Sequence, residues 1–359
     1  MTDHKSKKKF SVNFDVIKTS VVILIALLIA FLIILGISEE PLRAFSQMFL
    51  GPTKSIRYIG NVLEMMIPLM FTGLAVSLMF KCEQFNLAAE GAFFMGAIGA
   101  ILIATQLKLP IVVHPVLAIL VGGIFGGILC SIPAVLKVKW KANETVSSLM
   151  CNYIALFTGL FIINNYLRDL DSAGMVSSRF AKTAALPKML KGTRLHIGLF
   201  IVIAFVIVIA LYVHKSKAGY ELRITGQNIN FAKYTGIDVV KVIVLSQFLG
   251  GFLAGVGGAV ELLGMHTRFE WQALPGFGWD GVIVALLARN NPVYVPLTAF
   301  FIAYIRIGAD IMSRSTDVQN EVVAIIQGVI ILLIAADAFL AQIKQRKTFK
   351  EATANMEIN

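Results

Sequence analysis

Long apolar runs, broken by short polar connections, dominate the chain. A bilayer core takes roughly 20 apolar residues per helix, and fewer where surrounding protein shields the segment. On that basis the pattern predicts ten spans: 20–36, 60–80, 86–106, 115–136, 145–164, 196–213, 242–263, 276–289, 293–311 and 322–340. The eighth is short and flanked by glycine, which suits a re-entrant or shielded segment. The expected fold is therefore an all-α polytopic membrane protein with about ten transmembrane helices. It divides into an N-terminal arm (1–19), a transmembrane domain (20–340) containing a polar segment at 214–241, and a C-terminal tail (341–359).

Two short stretches share a pattern. "FNLAAEGAFFMGAIGA" (85–100) opens an apolar run with Glu90-Gly91, and "PGFGWDGVIVALLA" (275–288) does so with Asp280-Gly281. Each follows a full span, so spans two to five and seven to ten read as two copies. An odd number of crossings separates them, which makes the repeat inverted. Paired, glycine-interrupted segments in two such halves point to a translocation path. The plainer alternative is that an acid and a glycine simply start a helix, where the dipole favours negative charge.

Composition agrees with the membrane reading: 57% of residues are hydrophobic and 15% charged, against about 25% charged in soluble domains. The net charge of +11 comes from Lys and Arg that mostly flank apolar runs. Orientation in the membrane explains them, and no basic domain remains for nucleic acid. With "KSKKK" placed in the cytoplasm, "KVKWK" (137–141), the 214–223 segment and "KQRK" (344–347) fall on the same side. Both termini are then cytoplasmic. The first apolar run lacks a small-residue cleavage site and reads as a retained span. Cys82, Cys130 and Cys151 lie in or beside apolar runs without metal or redox spacing, as packing residues do. No phosphate-binding GxxxxGK[ST], HExxH or GxSxG motif occurs.

Ionisable residues at membrane depth usually face a cavity or a partner. Glu64, Glu90, Glu144, Glu261, Asp280, Arg306 and Asp310 qualify, and Glu144 suits a first-turn position. Ser148 and Asn152, four apart, share one helical face, where an amide can meet hydroxyls or a nucleobase edge. Tyr153, Phe277 and Trp279 add aromatic surface. The alternative is helix–helix gluing by Ser and Asn. The GxxxG pairs in "GGIFGG" (122–127) and "GGFLAGVGG" (250–258) predict close backbone approach between spans.

The polar segment "GYELRITGQNINFAKYTGI" (219–237) has structure of its own. Asn230 can cap a short helix over 231–235, with Ile229 and Tyr234 as a hydrophobic staple and Gly236 at C′. Phe231 and Tyr234 share a face. That face packs either on the protein's own span ends or on a cytoplasmic partner.

These motifs carry a resemblance. "FNLAAEGAFFMGA" is similar to FNIGxEGQxxMGA, and "ANETVSSLMCNYIA" to NExxxTxMLNYIA, in bacterial ABC-transporter permeases of the ribose, nucleoside and branched-chain amino-acid group. "TGQNINFAKYTGID" resembles that group's GxNxxAAxYxGI loop, and "GFGWDGVIVALLARNNP" its GxGFDGIAVALLGxxNP. Leu87-Ala88, Trp279 and Ala288-Arg289 depart from the pattern. The nucleoside or simple-sugar branch looks closest.

The resemblance implies a permease in a bacterial plasma membrane that moves a nucleoside. Its partners are a cytoplasmic ATPase, an extracellular solute-binding lipoprotein and a second permease chain, expected to form a heterodimer. ATP is used by the ATPase, so no cofactor is expected on this chain. The coupling residues carried over are Glu221, Arg223, Gly226, Gln227, Asn228, Asn230, Phe231, Ala232, Tyr234 and Gly236. Those along the path are Asn86, Glu90, Ser148, Asn152, Tyr153, Phe277, Trp279 and Asp280. A ribose or other sugar permease and an ion-coupled carrier stand as alternatives. A membrane enzyme has no nucleophile or metal constellation to support it.

Overall fold

The computed structural model describes residues 28–319 except Ala173 and Lys191, together with Ile25, Val322, 325–329 and Leu332. Among these residues the protein is all-helical, with two isolated β-bridges and no strand. In chain order the helices are α1 (Leu28–Ile37), α2 (Pro41–Leu50), α3 (Ile56–Lys81), α4 (Ala89–Gln106), α5 (Val113–Trp140) and α6 (Glu144–Ile162). Then come α7 (Gly198–Lys215), α8 (Lys217–Gln227), α9 (Ile229–Tyr234), α10 (Val239–Met265), α11 (Phe277–Leu287) and α12 (Val295–Ser315).

Seven of the described helices are long and apolar enough to cross a membrane: α3, α4, α5, α6 with its π-turn to Leu167, α7, α10 and α12. They match the second to seventh and the ninth expected spans, usually a few residues longer at the ends. The eighth expected span is α11, at 11 residues. Most of the tenth, 322–340, and the first part of the first, 20–36, lie outside the described residues. Helix α2 was not expected. Its signal was Pro41 at the first helical position, but ten residues are too few to register as a span.

The contacts divide the chain into two units, residues 1–58 with 304–359, and Ile59–Ala303. In the first unit, Phe31 meets Phe45 edge to face at 5.2 Å. The Tyr304 hydroxyl donates to the Phe49 carbonyl. Ser38 Oγ and the Glu39 N–H donate to the Asp317 carboxylate at 2.6 and 2.7 Å, which holds its pKa below the usual carboxylate value.

The second unit is built on α4, α5 and α10, which pack against one another more than any other helices there. Glycine makes that possible. A Cβ on Gly126 would sit 2.8 Å from Gly255 Cα, and one on Gly122 would sit 2.9 Å from Ala259 Cβ. The predicted GxxxG seams thus face each other with backbones touching. Helix α6 packs on α4 and α5, and α7 on α8 and α10. Helix α3 is almost wholly buried, and Met79, Ala75 and Phe71 press on Gly250 and Gly257 of α10. The 168–197 segment is tied down by bonds from Ser177 to Phe269 and from the Leu186 N–H to the Leu263 carbonyl. The three cysteines are free and buried.

Candidate functional site

Two places gather the expected residues. The first is the polar segment between α7 and α10. Ser216 accepts a hydrogen bond from the Gly219 N–H and starts α8. Lys217 and Glu221 stand 3.9 Å apart on its surface. The Arg223 guanidinium donates back to the Val213 carbonyl at the end of α7. Gly226 is buried where a side chain would strike the Lys81 carbonyl at the end of α3. Next to it, burial pushes the Cys82 thiol up to about 11, so the thiol is unreactive at neutral pH.

Helix α9 follows with no linker. Its cap is Asn228, whose side-chain oxygen accepts from the Asn230 and Phe231 N–H groups at 3.0 Å each. This corrects the sequence reading, which placed the cap at Asn230 and paired Ile229 with Tyr234. Both asparagines suit a cap, and Asn228 wins because α8 ends on it. Gly236 does lie beyond the helix end with φ +79°. Ala232 is buried, whereas Gln227, Asn228, Asn230, Phe231 and Gly236 are exposed. Tyr234 is 93% exposed. Arg223, Gly226 and Ala232 therefore hold the unit together, and among the described residues nothing covers the aromatic face. Beside it a cleft of about 740 Å³ runs between α8 and the start of α10, lined by Tyr212, Lys217, Gly236, Asp238 and Lys241.

The second place is where α4 and α11 begin. Asn86 is buried, donates to the Cys130 carbonyl at 2.9 Å and accepts from the Ala88 N–H. Ser148 Oγ accepts from the Leu87 N–H at 3.1 Å. Asn152 accepts from the Gly91 N–H at 2.8 Å and donates to the Leu87 carbonyl at 3.0 Å. These polar atoms from α6 complete the start of α4. The Glu90 carboxylate, almost fully buried, reaches across to α11. It accepts from the Gly276 and Gly278 N–H groups at 2.5 Å each. Asp280 is buried one turn inside α11. Phe277 packs on Phe93 at 5.1 Å. Tyr153 and Trp279 are exposed, at 62% and 46%.

The structure thus brings Asn86, Glu90, Ser148, Asn152, Phe277 and Asp280 to the starts of two helices, and leaves Tyr153 and Trp279 at the surface. Sequence reasoning missed Lys137, whose ammonium donates to Gln84 at 2.5 Å and to Glu144 at 2.7 Å. It had read Lys137 only as a flanking charge. It also missed Trp271, which stacks on Phe93 at 5.8 Å and meets Phe269 and His266 edge to face. "HTRFEW" directly after α10 was the available signal. The described residues contain no group of three or more His, Cys, Asp or Glu placed to hold a metal.

Residues 58–335 match the family model described as branched-chain amino acid transport system / permease component. The chain is 32% identical to the guanosine ABC transporter permease protein NupP of Bacillus subtilis, over 88% of this chain and 92% of that protein. It is 29% identical to the glucose ABC transporter permease protein TsgB13 of Haloferax volcanii, over 88% and 86%. It is 28% identical to the nucleoside ABC transporter permease protein NupB of Lactococcus lactis, over 88% and 89%. With several membrane-spanning helices and a family match over most of its length, the chain belongs to the branched-chain amino acid transport system permease family, and is the permease component of an ABC transporter, not an enzyme.

Proposed function

We propose that this permease conducts a nucleoside into the cell and that α9 is the face on which its ATPase docks. One observation carries the docking reading: a short helix, capped by Asn228 and closed at Gly236, that presents Phe231 and Tyr234 to solvent between two spans. Exposed aromatics on a rigid support suit a partner's pocket, and a helix butted onto α8 can transmit a push that a slack loop would absorb. An ABC import permease implies an ATPase and a solute-binding protein as partners. On this reading ATP is consumed by the ATPase, and the permease binds no cofactor.

The cargo reading rests on the names of two relatives, guanosine and nucleoside permeases. The glucose permease among the relatives supports a second reading, a simple sugar. The expected path runs along the starts of α4 and α11, from Asn86, Glu90, Ser148 and Asn152 to Phe277 and Asp280. Since the amide and hydroxyl groups there are engaged with backbone, the surfaces open to cargo are the aromatic ones, Tyr153 and Trp279. The fuller architecture we infer has ten spans, an inverted repeat of spans two to five and seven to ten, both termini in the cytoplasm, and a second, different permease chain alongside. The divisions at 1–19, 20–340 and 341–359 belong to the same inference.

Phe231→Asp and, separately, Gly236→Pro are expected to abolish uptake and ATPase co-purification while the chain stays in the membrane. Normal ATPase binding in both variants would defeat the docking reading. Uptake of labelled guanosine competed by nucleosides and not by ribose or glucose is expected, and the reverse pattern would assign the sugar.

A further inference from the structure

Glu64 and Glu261 take part in neither site. Both are buried, in the membrane-spanning helices α3 and α10. These helices run antiparallel in a register fixed by Gly250 against Ala75 and Met79, and Gly257 against Phe71. Glu261 lies one turn beyond Gly257, and Glu64 two turns before Phe71, so the two carboxyls project from facing surfaces. Each lies within Coulombic reach of the other.

Few donors are near. Among the described residues Glu261 Oε2 is buried without a hydrogen-bond partner. Pro68 cannot donate to the Glu64 carbonyl, its helical acceptor, so a further oxygen there lacks its usual N–H. Over this end of the two helices lies the segment Thr193–His196. Thr193 abuts Gly60 of α3, and the His196 ring abuts Gly264 of α10. Arg194, between them, is within Coulombic reach of Glu64. His196 Nδ1 accepts from the Gly198 N–H, which leaves Nε2 carrying the hydrogen, buried and without a partner among the described residues. Burial, reinforced by Lys188, holds the His196 pKa down at about 4, so the ring is neutral and adds no positive charge.

We propose that Glu64 and Glu261 share one proton beneath Thr193–His196, forming a buried proton-binding site at this end of α3 and α10. Two ionised carboxylates facing each other in apolar surroundings repel, and both lose hydration; one guanidinium cannot offset both losses. A single proton turns the repulsion into an O–H···O⁻ hydrogen bond and leaves one negative charge to balance Arg194. The other titratable and charged groups facing this end are Lys188, His266 and Glu270, with Glu90 and Asp280 farther along on α4 and α11. Like His196, His266 is held below its usual pKa by burial, with Glu270 pulling the other way and Arg194 adding a smaller push downward.

The sign of the linkage follows. The folded chain keeps a proton that free glutamates, with pKa near 4.3, have released in the unfolded chain. Stability therefore falls as pH rises above that value, until the folded pair ionises. The window from roughly pH 7 to 8 isolates this effect: both histidines are already neutral there, and the buried thiols, which ionise near pH 8.5 in the unfolded chain, add their own slope only above it. The full-length chain, purified in detergent with its partner subunits, should show an unfolding constant that rises about tenfold per pH unit across the window. Glu64→Gln or Glu261→Gln should each abolish that slope and raise the melting temperature at its upper end. A flat wild-type profile, or a slope unchanged in both variants, overturns the proposal. Should either variant fail to fold, the infrared spectrum of the wild type decides: a protonated-carboxyl carbonyl stretch at neutral pH supports the shared proton, and its absence overturns it. Stabilisation by sodium chloride over choline chloride, lost in Glu261→Gln, also overturns it by assigning the pair to a metal cation.

Discussion

Helices α4 and α11 both begin with an acidic residue followed by glycine, yet their free N–H groups are satisfied in different ways. At α4 the acceptors are neutral: Asn86 for Ala88, two residues away, and Ser148 for Leu87 and Asn152 for Gly91, each 61 positions away on α6. At α11 the acceptor is a single carboxylate, Glu90, from a helix 186 positions earlier. The α4 start is thus completed within its own half of the chain, and the α11 start depends on the other half. Neither helix has a capping side chain at its own N-cap residue, so in both cases tertiary contact does what local sequence usually does. Both Glu90 oxygens accept from α11 backbone, so that helix start hangs on one side chain, whereas the start of α4 is shared among three.

The comparison can be broken at its most crowded point. Gly278→Leu would drive a side chain into the Glu90 backbone, and we expect loss of folded protein from the membrane, read as the monodisperse fraction after solubilisation. Glu90→Ala leaves the buried Gly278 N–H and the half-buried Gly276 N–H without their acceptor and should cost about 3 kcal/mol; detergent-solubilised melting measures it, and a cost under about 1 kcal/mol would show that α11 stands without its remote acceptor. Asn152→Ala, which strands the Gly91 N–H and the Leu87 carbonyl, should cost about 2 kcal/mol by the same measurement. Ser148→Ala removes one neutral bond and should cost about 1 kcal/mol. If the Asn152 or Ser148 change exceeds that at Glu90, the ordering of the two helix starts is reversed.

Much of the fold was legible because long apolar runs have few alternatives in a bilayer, and the glycine seams were legible because paired GxxxG spacing has a geometric meaning. The acid–glycine repeat drew attention to Glu90 and Asp280, but not to what Glu90 touches. That partner is a backbone amide far along the chain, and amides carry no sequence signal. Asn152 and Ser148 showed their shared face in the sequence, but not that this face meets the Leu87–Gly91 backbone. The cap of α9 was misplaced by two residues because Asn228 and Asn230 are equally good acceptors in sequence, and only the end of α8 separates them. Helix α2 escaped notice for the opposite reason: it is amphipathic and short, and a search for spans passes over it.

The glycine seam of α4, α5 and α10 has a mechanical consequence. Where backbones touch, no layer of side chains remains to flex or change rotamer, so sliding one helix past another would force main-chain atoms through each other. The three helices must therefore travel as one piece, and any rearrangement during a working cycle has to be taken up at the looser joints around them, those of α6 and α7.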